Sequence, residues 1–171
     1  MLAAEAAAAA RVRTLTRAEA NAVFAAVLRA PPPAEELAAL LRALAARGET
    51  ADEIAGAAEA MRAAMIPFVH HAEGAVDTCG TGGDGLGTFN LSTTAALVAA
   101  AAGVRVIKHG NRAASSQCGS ADLLEAAGVR LQLTPEQARM VFEDCGFVFL
   151  FAPHYHPALG PIAPVRRALG T

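Results

Sequence analysis

Asp77-Thr-Cys-Gly-Thr-Gly-Gly-Asp-Gly-Leu-Gly-Thr-Phe-Asn90 is the stretch whose reading decides the fold. It follows a short β-like run and leads straight into an apolar helix that begins near Ser92. Gly80, Gly82, Gly83, Gly85 and Gly87 leave the backbone free to take positive φ and to come close to a ligand. A glycine-rich turn between a strand and a helix N-terminus offers N–H groups and the positive end of the helix dipole to an anion. Phosphate is the first expectation. Glycine clusters also build plain turns, so the flanking sequence must decide.

Downstream, the grammar is that of an α/β unit. Ala75 to Cys79 reads as a strand, Ser92 to Ala102 as a helix stopped by Gly103, and Val104 to Lys108 as a second strand. Strand, helix and strand within that span predict a parallel sheet with a right-handed crossover. Ser120 opens a helix through Ala127, closed by Gly128. Thr134-Pro-Glu-Gln137 has the spacing of a capping box with proline at the first helical position. Phe147 to Phe151 is a continuous apolar run, as expected of a buried strand.

Upstream, everything to about Pro67 reads as helix. Thr16 with Glu19 and Thr50 with Glu53 have capping-box spacing. Val23, Phe24, Val27 and Leu28 make one apolar face, and Leu37, Leu40, Leu41 and Leu44 another, with Pro33 suited to the first turn of the second helix. Ile54, Met61 and Met65 are expected to continue the apolar face of the third. Such faces suit a small bundle or a subunit interface. The fold class is therefore α/β: a small N-terminal α-helical domain, residues 1–71, followed by the first part of a larger α/β domain with a largely parallel central sheet, residues 72–171.

Composition narrows the function. The chain has 171 residues, 54% hydrophobic and 18% charged, with net charge -2. This excludes a disordered chain and gives no basic footprint for nucleic acid. No run is apolar and long enough for a membrane span, and residues 1–10 carry Glu5 with no basic region before them, unlike a signal peptide. Cys79, Cys118 and Cys145 are an odd set without a C-x-x-C pair, fitting free thiols in a reducing cytosol. His70-His71 and His154-Tyr-His156 lack zinc-ligand spacing and read as loop or surface histidines.

In open α/β sheets, ligands sit beyond the carboxyl ends of the strands. Three loops follow strand ends here: Gly80–Gly87, Lys108–Ser116 and Ala152–His156. The first brings N–H donors with Asp84 and Thr88, and Asn90, Ser92 and Thr93 add side-chain donors at the helix start. The second brings Lys108 as a point charge and Arg112 as a planar fork, both suited to phosphate or carboxylate. Ser120 opens a second helix beside it.

Gly80-Thr-Gly-Gly-Asp-Gly, Asn90-Leu-Ser-Thr93, Lys108-His-Gly-Asn-Arg112 and Ser115-Ser116 resemble the signature blocks of the anthranilate phosphoribosyltransferase family. Phe149-Leu-Phe-Ala-Pro153, His156-Pro157 and Pro164-Val-Arg166 resemble its later blocks, and Arg47 to Ile54 its helical start. The resemblance runs in order over nearly the whole chain. It implies transfer of phosphoribose from phosphoribosyl pyrophosphate to the amino group of anthranilate, a step of tryptophan synthesis. It implies that Gly80, Gly83, Asp84 and Thr88 surround the donor's pyrophosphate and ribose. Its phosphates would be held by Asn90, Leu91, Ser92, Thr93, by the run Lys108, His109, Gly110, Asn111, Arg112, Ala113, Ala114, Ser115 and Ser116, and by Ser120. Ser92 matches a magnesium contact. Gly80, Asn111, His156 and Arg166 match anthranilate positions, with Arg166 facing the carboxylate. A homodimer through the helical domain and a cytoplasmic location complete the implication.

The chemistry suits these residue types. Pyrophosphate leaves an anomeric carbon, and a neutral aromatic amine attacks an oxocarbenium-like centre. Catalysis is then positioning and charge stabilisation, without a dedicated catalytic side chain. Gln117 and Cys118 stand where the family often has Lys and Ser. The chain ends at Thr171, whereas the family continues into a second half carrying an acidic magnesium pair, so an N-terminal portion is expected. Three other readings compete: a pyrimidine-nucleoside phosphorylase, against which Lys108–Arg112 and Arg166 speak, a non-catalytic nucleic-acid-binding relative, against which the net charge speaks, and a purely structural helical module, which would leave the three loop clusters without a purpose.

Overall fold

The computed structural model describes residues 3–80, 89–113 and 118–170. They form α1 (Ala3–Ala10), α2 (Arg17–Arg29), α3 (Ala34–Arg47), α4 (Ala51–Ala64), α5 (Leu91–Ala101), β1 (Val106–Gly110), α6 (Ser120–Ala126), α7 (Pro135–Cys145), β2 (Phe147–Phe151), α8 (Ala152–Tyr155) and α9 (Ala163–Leu169), with a 3-10 turn at Pro157–Leu159 before α9. The chain divides into two compact units: residues 3–65 with 156–170, and residues 66–155.

The helical unit starts from its caps. Thr16 Oγ1 accepts the N–H of Glu19 while the Glu19 carboxylate accepts the N–H of Thr16, and Thr50 and Glu53 repeat the arrangement. Pro33 stands just before α3 rather than inside its first turn. Leu37, Leu40 and Leu44 are buried as the spacing predicts, with Leu41 at the margin. Val23, Val27 and Leu28 do the same for α2.

α4 departs from expectation. Its buried residues are Glu53, Gly56 and Ala60, whereas Ile54 is 59% exposed and Met61 36%. The reason is a close helix crossing: a Cβ on Gly56 would overlap the carbonyl oxygen of Arg17 and come within 2.9 Å of Ala20 Cβ. Only small residues fit against α2, so the larger apolar side chains of α4 turn outward.

Glu53 does structural work beyond its cap. At 2% exposure it accepts the N–H of Leu15 at 2.8 Å and of Thr50 at 2.9 Å, and Arg47 donates to it at 2.5 Å. Burial pushes its pKa up, but the donors from Leu15, Thr50 and Arg47 outweigh that and leave it below the ordinary glutamate value. Glu19 is lowered to about 2, by Arg13 first and then by Thr16.

In the α/β unit, β1 and β2 pair in parallel with Val106 opposite Phe147, Lys108 opposite Phe149 and Gly110 opposite Phe151. The crossover passes through α6 and α7. One face of β2 packs with Ala138, Phe142 and Tyr155, and the other places Phe149 against Ala121, Leu124 and Leu131. A strand covered on both faces explains the unbroken apolar run.

The two expected upstream strands are changed. β1 begins two residues later than the pattern predicts, because the N–H of Val104 closes α5 by bonding Ala99 O at 3.0 Å after Gly103 at φ 90°. Ala75–Cys79 makes a single parallel bridge, Val76 to Val106. The Asp77 side chain takes the N–H of Cys79 at 2.9 Å, diverting the backbone from a longer ladder.

Two outcomes follow. Gly56→Val should lose about 1–3 kcal/mol in urea unfolding, since its overlap is with backbone that cannot yield. Stability carried by Glu19 and Glu53 is fully present above the unfolded glutamate pKa of about 4.3 and is lost as pH falls through the lower folded values. The urea midpoint should therefore drop on acidification below about pH 4, and the drop should be shallower in Glu53→Gln.

Candidate functional site

Burial alternates along β1: Val106, Lys108 and Gly110 are buried, and His109 faces solvent. The alternation drives a lysine inward. Lys108 is 1% exposed, and its Nζ donates to Ser92 Oγ at 3.3 Å and Thr78 Oγ1 at 3.4 Å. Thr78 Oγ1 in turn donates to the carbonyl of Ser92 at 2.7 Å. Among the described residues no ion pair reaches Lys108. A buried ammonium thus lies against the first turn of α5, where the helix dipole is also positive. Burial without a counter-charge is costly, and an arriving anion relieves it.

The rest of the α5 start follows. Asn90 caps with its carbonyl, which accepts the N–H groups of Thr93 and Thr94, and its Nδ2 lies 3.5 Å from Cys118 Sγ. Thr93 is fully buried and its Oγ1 has no hydrogen-bond partner among the described residues. Leu91 is exposed. His109 Nδ1 contacts Asp77 Oδ2. Burial raises the Cys79 thiol pKa, Asp77 adds to that, and Lys108 opposes it.

At the end of β1 the chain runs against α6. A Cβ on Gly110 would overlap Ser120 Oγ and come within 2.9 Å of the Phe149 ring, so glycine sets this approach. The carbonyl of Asn111 accepts Ser120 Oγ at 3.3 Å and the N–H of Ala121 at 3.2 Å. Arg112 bonds Glu125 and Asp122, with Ala113 beside it.

Of the expected donor contacts, the structure gathers Ser92 and Lys108 directly, Thr93 in the same helical turn, and Gly110, Asn111 and Ser120 at the neighbouring helix start. Gly80 is exposed just after the Asp77–Cys79 turn. Gly83, Asp84, Thr88, Ala114, Ser115 and Ser116 lie outside the described residues. His156 and Arg166 belong to the helical unit. There, His156 lines a shallow crevice with Leu28, Met61, Ala64, Ala158 and Leu159, and Arg166 is exposed on α9. Thr78 was not singled out by sequence. Its hydroxyl matters only because the Val76–Val106 bridge brings it opposite Lys108.

No group of three or more metal-ligating His, Cys, Asp or Glu occurs among the described residues. The side-chain oxygens beside Lys108 are the Thr78 and Ser92 hydroxyls, and Ser92 is the one expected at the metal. That fits magnesium only as one ligand among waters and phosphate oxygens, the usual habit of this ion at phosphate sites.

Known proteins resemble this chain in sequence and in fold. Residues 3–65 match the helical bundle domain of a glycosyl transferase family, and residues 72–171 match its a/b domain. The chain belongs to this glycosyl transferase family. Similar proteins include the anthranilate phosphoribosyltransferase of Novosphingobium aromaticivorans, 54% identical over 91% of this chain and 47% of that protein. Anthranilate phosphoribosyltransferase 2 of Streptomyces coelicolor is 51% identical over 92% of this chain and 47% of that protein. The crystal structure of anthranilate phosphoribosyltransferase from Thermus thermophilus superposes with a TM-score of 0.90 at 51% identity, over 97% of this chain and 51% of that one. The Saccharomyces cerevisiae enzyme in complex with phosphoribosyl pyrophosphate and magnesium gives 0.82 at 28% identity, over 92% and 47%. The chain spans about half the length of the curated relatives it matches. The family's helical-plus-α/β architecture is the one described above. No helix among the described residues is long and apolar enough to cross a membrane.

Lys108→Met tests whether the buried charge serves a ligand in this chain. Its unfolding free energy should stay within about 1 kcal/mol of the parent, or rise, because a costly buried charge is removed. Inorganic pyrophosphate should raise the melting temperature of the parent and leave that of the variant unchanged.

Proposed function

We propose that this chain is the N-terminal part of an anthranilate phosphoribosyltransferase, transferring phosphoribose from phosphoribosyl pyrophosphate to the amino group of anthranilate. The observation that carries the reading is Lys108, buried at the N-terminus of α5 with two hydroxyls and no counter-charge among the described residues. That arrangement suits a polyanionic donor. Similarity to enzymes of that name, one of them in complex with phosphoribosyl pyrophosphate and magnesium, supports the choice of substrates.

In the reaction the bond from the anomeric carbon to pyrophosphate breaks, a carbon–nitrogen bond forms to the aromatic amine, and the amine gives up a proton. Lys108 and the N–H groups at the α5 start would offset the charge gathering on the leaving oxygen. Gly80, Gly83, Asp84 and Thr88 would border the donor, and Ser92 Oγ would be the magnesium ligand of this half. Bound magnesium supplies neutralisation of the pyrophosphate charge. Gly80, Asn111 and His156 would border anthranilate, with the Arg166 guanidinium toward its carboxylate. A cytoplasmic homodimer through the helical unit belongs to the same reading, and light scattering tests its dimer.

The deciding experiment follows anthranilate fluorescence with phosphoribosyl pyrophosphate and magnesium, for the full-length gene product and for these 171 residues side by side. Magnesium-dependent decay by the full-length protein is expected, lost on Lys108→Met and reduced at least tenfold in kcat/KM by Arg166→Ala. No decay from folded full-length protein, with phosphorolysis of pyrimidine nucleosides instead, would overturn the assignment.

A further inference from the structure

The guanidinium of Arg112 is already occupied. It donates to both oxygens of Glu125, at 2.7 and 2.9 Å, and to Asp122 Oδ1 at 3.1 Å. Its carbon lies 5.8 Å from the centre of the Phe151 ring. The other oxygen of Asp122 accepts the backbone N–H of Ala113 and of Gly119, each at 2.9 Å. One carboxylate therefore ties together two points of the chain, the end of the stretch after β1 and the residue before α6. Glycine is required at 119, where a Cβ would overlap Ala113 N. The Asn111 side chain closes the cluster by accepting the N–H of Arg112 at 2.8 Å.

The charges agree with the geometry. Glu125 first and then Asp122 raise the Arg112 pKa, and Arg112 lowers that of Glu125. One cation faces two carboxylates, so little positive charge remains for a phosphate. Two of its three nitrogens are committed to carboxylates in the fork geometry that arginine favours. Lys108 is the opposite case, buried and without an acid partner among the described residues.

We propose that Arg112 is a positioning residue: through Glu125 and Asp122 it fastens the segment after β1 to α6, and it acts on the phosphoribosyl donor only through that segment. The identity of the ligand rests on the reading given under Proposed function. Lys108 is then the cation of this unit that meets the phosphates.

Calorimetric titration of the full-length protein with phosphoribosyl pyrophosphate and magnesium tests this, alongside amide exchange at Ala113 and Gly119. Glu125→Gln, Arg112→Lys and Arg112→Ala should each weaken binding about twofold to fivefold. The Arg112→Ala/Glu125→Gln pair should bind no worse than the weaker single variant, and both amides should exchange faster in each. A direct phosphate ligand predicts the reverse for the acid. If Glu125→Gln bound as tightly as the parent or tighter while Arg112→Ala lost far more, the proposal would fall. If the parent bound no donor, the functional reading would fail on its own. Exchange would then decide the clasp, and unchanged protection in Glu125→Gln would overturn it.

Discussion

A lysine ammonium held against the N-terminus of a helix is the constraint on which the α/β unit depends. Lys108 is inward because successive side chains of β1 point to opposite faces, and β1 is held between β2 on one side and Val76 on the other. Its two hydroxyl partners come from different places: Thr78 from the segment beyond the Val76 bridge, Ser92 from the first turn of α5. Hydroxyls solvate an ammonium but do not neutralise it. The positive helix end adds to the same unfavourable potential. A polyanion bound there would offset that cost.

Close backbone approach does the remaining positioning. Gly110 and Gly119 leave no room for side chains where the end of β1 meets the start of α6, and the Asn111 carbonyl is bonded to Ser120 and Ala121 across the gap. The arginine beside them is tied to acids of the same helix. Two basic residues four apart in sequence thus stand in different electrostatic situations. One is buried with no acid partner among the described residues, and the other is exposed and bonded to two carboxylates. The difference is made by strand alternation and by where Glu125 falls on its helix.

The helical unit uses the same economy with different parts. Glu53 is at once half of a capping box, the acceptor for the Leu15 N–H and the partner of Arg47, so one carboxylate joins the turn before α2, the end of α3 and the start of α4. Gly56 lets α2 and α4 approach closely at Ala20. The pair of small residues outweighs the apolarity of Ile54 and Met61 in choosing which side of α4 is buried.

The sequence alone determined the starts of α2, α4, α6 and α7, the parallel α/β character, the β2 strand and the residue classes gathered at the strand ends. These are local matters: capping boxes need only residues three apart, and a five-residue apolar run needs only its own pattern. It also carried the resemblance to a phosphoribosyl-transferring family, because the glycine block and Lys108–Arg112 are each a contiguous run. Tertiary structure decided what depends on contacts distant in sequence. It buried Glu53, Gly56 and Ala60 instead of Ile54 and Met61, reduced Ala75–Cys79 to one bridge, and delayed β1 until after the α5 closure. It brought Thr78 to Lys108 and Glu125 to Arg112, and grouped residues 156–170 with the helices. Periodicity ranks faces by hydrophobicity, whereas packing ranks them by shape, and a lysine's role depends on which charges the fold leaves beside it.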